Sequence, residues 1–142
     1  MYRASRDGNT TAAFHEKCDN KGATIVVTRI KDSEQIVGGY NPLFWSSNTS
    51  DNSTYDSFLF SFTNRSNLHS AKVSYSKGDQ YSVRSRSTYG PMFGGGSDLY
   101  FDSNGTSWYS YNHPYSYQSK VDIPNGAFST EDYEVFQVTK DN

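Results

Sequence analysis

The chain has 142 residues, 34% of them hydrophobic and 16% aromatic, with a formal net charge of −2, a length that supports one closed core but not two. The low mean hydropathy of −0.80 points towards disorder, but disordered segments are poor in aromatics, and nine Phe, twelve Tyr and two Trp give each buried position a large apolar payload. The balanced charge leaves no basic footprint for nucleic acid or anionic lipid, and no apolar run approaches the roughly 18 residues of a membrane span.

In chain order, Thr10 or Thr11 can cap a helix that runs without a breaker to Cys18, placing Phe14 and Cys18 four apart on one face. Asn20 and Gly22 tolerate the left-handed backbone that ends it. From Ala23 the pattern turns to strand: a β-branched run to Ile30, a turn over residues 31–34, and a returning strand to Tyr40. Residues 41–56 read as a long polar loop around Trp45. Phe58, Phe60 and Phe62 alternate on one face of the next strand. Ala71–Tyr75 and Tyr81–Arg86 suggest a hairpin across Lys77-Gly78-Asp79. The Gly90–Gly96 loop leads into a strand from Asp98 to Phe101, residues 103–120 give no clear pattern, and residues 134–139 alternate as a closing strand. One helix followed by many short strands, with no βαβ alternation, predicts an α+β fold that is mainly β. Two antiparallel sheets are expected to pack as a sandwich with flanking helices, forming a single domain over 1–142.

Cys18 is the lone cysteine, so no internal disulfide forms and a reducing compartment is favoured. The first eight residues carry no apolar core of a signal peptide. Five Asn-x-Ser/Thr sequons, at Asn9, Asn48, Asn52, Asn64 and Asn104, suit a secreted glycoprotein, but a chain this rich in Asn, Ser and Thr generates them by chance.

Four segments, in this order, carry a resemblance. They are residues 2–8, Tyr-Arg-Ala-Ser-Arg-Asp-Gly, with Phe14-His15 and Cys18-Asp19-Asn20-Lys21-Gly22; Val37-Gly38-Gly39-Tyr40 with Trp45; residues 56–61; and residues 90–99, closed by Tyr133-Glu134-Val135-Phe136. Together they resemble the TLDc domain family of oxidation-resistance proteins. The resemblance implies a sandwich of two antiparallel sheets, a non-enzymatic role, and association with the V1 sector of the vacuolar proton pump (the V-ATPase) in resistance to oxidative stress. The expected location is the cytoplasm, at vacuolar or endolysosomal membranes only through partners. Family domains carry some further residues before the Tyr-Arg-Ala-Ser-like segment, so the chain is expected to lack a first N-terminal element.

Residue chemistry narrows the candidates. The loop with Gly94, Gly95, Gly96 and Asp98 lacks the Gly-Lys-Ser/Thr ending and following helix of a phosphate cradle. Its glycines read instead as backbone approach where the chain turns between sheets, with a partner contact as the alternative. Gly38 and Gly39 suggest a bulge or a crossing beneath a bulky neighbour such as Trp45. Arg3, Arg6 and Asp7 stand at the domain entrance, where they could pair with Asp98 or with backbone carbonyls. His15, His69 and His113 are scattered, and no segment resembles a nucleophile elbow or a metal cluster, so no cofactor, metal or catalytic residue is implied. The rival readings are a peroxide-detoxifying enzyme using Cys18, which needs an exposed, acidified thiol, a Ser/His hydrolase, and a secreted glycan-binding sandwich.

Overall fold

Alternating burial builds the first sheet of the computed structural model, which describes residues 1–63, 69, 71–96, 98–102, 107–110, 114–119 and 121–139. Along β2 (Thr24–Ile30), Thr24, Val26, Thr28 and Ile30 are buried while Ile25, Val27 and Arg29 face outward, as the two-residue period of a strand requires. Asp32, in left-handed backbone at φ 59°, turns the chain into β3 (Ile36–Asn41), and the hairpin forms with Val26 opposite Gly39. β5 (Phe58–Phe62) pairs with β3, and β6 (Ala71–Tyr75) with β5. On the other side β12 (Thr130–Gln137) pairs with β2, and β1 (Tyr2–Arg3) with β12. The order is β1-β12-β2-β3-β5-β6, antiparallel throughout.

The second sheet is built from shorter strands: β4 (Ser50–Asn52), β7 (Val83–Ser85), β8 (Met92–Phe93), β9 (Leu99–Phe101), β10 (Trp108–Ser110) and β11 (Gly126–Phe128). Its order is β11-β10-β9-β8-β7-β4, also antiparallel. The mainly-β, two-sheet sandwich expected from sequence is therefore the fold. Between the sheets lies one core in which Val26, Val37, Leu59, Val83, Phe93, Leu99, Phe101, Trp108 and Val135 are buried.

The helix before β2 forms as its sequence dictates. In α2 (Thr11–Cys18) the Thr10 hydroxyl accepts from the Ala13 amide at 3.1 Å, satisfying one of the first-turn donors. Asn20 and Gly22 follow in left-handed backbone, at φ 60° and 76°. Phe14 and Cys18 are fully buried. Ahead of α2, the residues at the domain entrance form β1 and a single helical turn, α1 (Ala4–Asp7).

Three expectations need correction. Ala71–Tyr75 and the segment after it are not a hairpin, because β6 belongs to the first sheet and β7 to the second. Gly78 at φ 79° and a Ser76–Ser82 hydroxyl contact of 2.8 Å carry the chain across the sandwich instead. The polar stretch 41–56 holds β4, an edge strand beside β7. The glycine loop contains β8, and Gly94 turns it into β9 within one sheet rather than between sheets.

Candidate functional site

The glycine loop is closed by its own carboxylate. Asp98, 2% exposed, accepts the backbone amides of Tyr115 at 3.1 Å, Ser116 at 2.8 Å and Tyr117 at 3.0 Å, and also that of Gly96. Burial raises its pKa, and the four amides pull in the opposite direction by stabilising the charged form. An added Cβ at Gly94, where φ is 91°, would fall 2.2 Å from the Asp98 carboxyl carbon, and at Gly95 and Gly96 it would meet the Tyr81 and Tyr115 side chains at 2.8 and 2.7 Å. The Gly95 amide donates to the Ser116 hydroxyl at 2.9 Å, which itself donates to Asp79 at 2.9 Å. Phosphate-binding loops leave their amides free for the ligand. Here a side chain already stands where an anion would sit.

Gly38 and Gly39 are packing positions. The register stays regular through both, so no bulge forms. A Cβ on Gly39 would lie 2.7 Å from the Phe93 ring, and one on Gly38 would lie 1.9 Å from the Val26 carbonyl oxygen and 2.7 Å from the Phe60 ring. The covering residues are thus Phe93 and Phe60, not Trp45. Trp45 is one shell away, edge-on to Phe93 at 5.5 Å and to Phe14 at 5.7 Å. Its indole N–H donates to Thr24 Oγ1 at 2.8 Å.

Arg3, Arg6 and Asp7 do come together, but Asp98 is not their partner. Arg6 donates to Asp7 at 2.8 and 3.0 Å, and Arg3 gives its backbone amide to Asp7 at 3.0 Å. These bonds, the Arg6 one first, hold the Asp7 carboxyl well below its ordinary range. The Arg3 guanidinium turns outward to Glu134 at 3.1 Å, and Ser5 donates its amide and hydroxyl to Asp132 at 2.9 and 2.6 Å. Arg6 also reaches a backbone carbonyl, that of Met1, at 3.4 Å. This charged network laces the N-terminus to β12.

The groups with chemical potential are engaged inside the fold. Cys18 is fully buried, and loss of solvation, then the nearby Asp19 charge, pushes its thiol up to about 12. A peroxidatic thiol needs the opposite shift. His15, 7% exposed, places Nδ1 2.7 Å from Asp19 Oδ1 and Nε2 2.8 and 2.7 Å from the carbonyls of Arg86 and Tyr89. Ser47 donates to the other Asp19 oxygen. Ser, Asp and His are therefore adjacent, but the hydroxyl bonds the carboxylate rather than the imidazole, so the ring is not placed to take its proton. His15 pins the 86–89 loop to α2. His69 lies elsewhere in the chain, and His113, Asn64 and Asn104 lie outside the described residues. Among the described residues, no group of three His, Cys, Asp or Glu side chains is arranged to hold a metal ion.

A feature not assigned from sequence is the outer face of the first sheet. Phe58, Phe60 and Phe62 do share one face, but it is the face turned away from the second sheet, while Leu59 and Ser61 point inward. The signal was present as apolar residues on both alternations of β2 and β5, where a sheet with one solvated face alternates apolar with polar. A family model described as the TLDc domain matches residues 1–139. No curated protein matches the chain.

Proposed function

Because the chain belongs to the TLDc domain family, we propose that it works as a non-catalytic interaction module. In this reading its partner is the V1 sector of the vacuolar proton pump, and binding regulates the pump and contributes to resistance against oxidative stress. The module would act in the cytoplasm and meet vacuolar or endolysosomal membranes through that partner. What most supports binding over catalysis is how the reactive groups are used. Cys18 is sealed in the core, His15 spends both nitrogens on Asp19 and two carbonyls, and the glycine loop holds Asp98. Each of these groups stabilises a loop or the core, and the surface they support is what remains for a partner.

The test is retention of purified V1 by the immobilised, folded domain, together with peroxide survival of cells carrying Cys18→Ala. The proposal expects V1 to be retained and protection to be unchanged by Cys18→Ala. Loss of protection with V1 retention intact would instead place the chemistry on the thiol.

A further inference from the structure

We propose that the outer face of the first sheet docks an amphipathic, basic segment of a partner protein, apolar side on the sheet and cations towards the β2–β3 turn. The inference rests on reading the chain as an interaction module and specifies the face and the partner's chemistry.

The face is apolar across four strands. Ile25 and Val27 on β2, Ile36 on β3, the three phenylalanines of β5 and Val73 on β6 line a trough of about 330 Å³. Aromatic contacts extend it at one end, with Phe58 5.2 Å from Tyr40 and 5.6 Å from Tyr75 between ring centroids. Val73 is 49% exposed and Tyr75 51%. These two continue a row in which Ile25, Val27, Ile36, Phe58 and Phe62 are half-buried and Phe60 is buried. Contiguous apolar surface marks a contact site, whereas scattered residues do not. The neighbouring strand edge is a poorer site, because part of it is already occupied: Gln118 donates its amide to the Tyr75 carbonyl at 3.1 Å, and Ser119 donates to Ser74 Oγ at 2.7 Å. A partner therefore meets the face rather than adding a strand.

Charge decides what kind of partner fits. Val27 and Ile36 also line a cleft of about 510 Å³ walled by Arg3, Arg29, Asp132 and Glu134, and beyond it Asp32, Glu34 and Glu131 surround a smaller cleft of about 240 Å³. Arg3 sits on Glu134 at 3.1 Å and Arg29 lies 4.0 Å from Glu131. Among the described residues that line these two clefts and the β2–β3 turn, the carboxylates Asp32, Glu34, Glu131, Asp132 and Glu134 outnumber the cations Arg3, Arg29 and Lys31. The resulting negative potential attracts lysines or arginines and repels an anionic lipid surface. Apolar burial supplies affinity and the carboxylates set orientation.

Two synthetic helical peptides with one apolar pattern, one Leu/Lys and one Leu/Glu, test this by fluorescence anisotropy on the whole chain. The Leu/Lys peptide should bind about tenfold more tightly, and Val73→Ser/Tyr75→Ser should weaken it by about tenfold. Glu34→Lys/Glu131→Lys, in the β2–β3 turn and at the start of β12, away from Val73 on β6, should abolish or reverse the preference for lysine. All four residues are exposed, and an unchanged circular dichroism spectrum checks the fold of each variant. Equal affinity for the two peptides, or binding indifferent to Val73→Ser/Tyr75→Ser, overturns the proposal. So does stronger binding to phosphatidylserine vesicles, or a dimer in sedimentation that Val73→Ser/Tyr75→Ser dissolves. V1 separates this from the broader reading. Retention of V1 that ignores Val73→Ser/Tyr75→Ser removes the face and keeps the pump as partner. No retention of V1, with peptide binding that responds to both variants, removes the pump and keeps the face.

Discussion

Beneath the Phe93 ring there is room for hydrogen at Gly39 and for nothing larger, since a Cβ would lie 2.7 to 2.9 Å from three ring carbons. Gly39→Ala should destabilise the fold by about 1–3 kcal/mol, the usual cost of overpacking. Phe93→Leu in the same chain should recover part of that loss, so a double-mutant cycle of urea midpoints gives a coupling well outside additivity. Asp98→Asn makes a different case. The amide keeps the shape but offers one oxygen to amides that now share two, and an unsatisfied buried donor costs about 1–3 kcal/mol. Hydrogen exchange at Tyr115, Ser116 and Tyr117 should quicken in this variant while β2 stays protected. For Cys18 the sign follows from ionisation. The folded thiol is raised from 9.0 to about 12, so its contribution is complete below about pH 9 and is lost as pH climbs towards 12, by up to about 1.4 kcal/mol per pH unit. Buried Tyr117 and Tyr133 are raised as well. Cys18→Ala should therefore flatten only part of the alkaline limb, and the native thiol should resist a thiol-specific reagent until the protein unfolds.

Among the elements, those with a cap, a β-branched run or a clean alternation announced themselves, and several of the short strands did not. α2, β2, β3 and β5 carry their own caps, β-branched runs or alternations, and each formed close to where those signals put it. β4 is Ser-Asp-Asn, an edge strand without an apolar residue, and its stability comes from a distant contact. Asp51 is flanked by Arg84 at 3.0 Å and Arg86 at 2.9 Å, and neither spacing nor composition reveals that pairing. Burial works against the charged Asp51, but the two guanidinium groups prevail and hold its pKa below the ordinary carboxylate range. A lowered folded pKa means that this contribution is present above about pH 4 and disappears as pH falls through the folded value. Asp51→Asn should lower stability at pH 7 and leave a shallower acid limb, read from thermal midpoints between pH 2 and 7. β10 falls in the stretch 103–120 that gave no clear pattern, where Trp108 is the one strong core marker of the three-residue strand, and β11, beyond that stretch, carries no strand signal of its own. The supposed hairpin at residues 71–86 failed for a related reason: local spacing fits a turn, but which sheet each strand joins is settled by long-range pairing.

At the scale of the molecule, the residues that mark the family turn out to hold it together. Gly38, Gly39 and Trp45 serve the core, Asp98 locks the glycine loop, and Arg6 with Asp7 secures the first helical turn. These positions were legible because architecture constrains residue type tightly: glycine under a ring, carboxylate among amides. The outer face was only half legible. Alternation placed three phenylalanines together, but which side meets the second sheet depends on pairing that no local pattern encodes. The proposed function lies in the surface left over, through which the fold would bind a partner rather than react. Equilibrium titration of purified V1 sector against the folded chain, native and Cys18→Ala, tests that claim most directly. Saturable binding of equal affinity for both is the predicted result, and absence of binding by native protein with an intact β-sheet spectrum would contradict it.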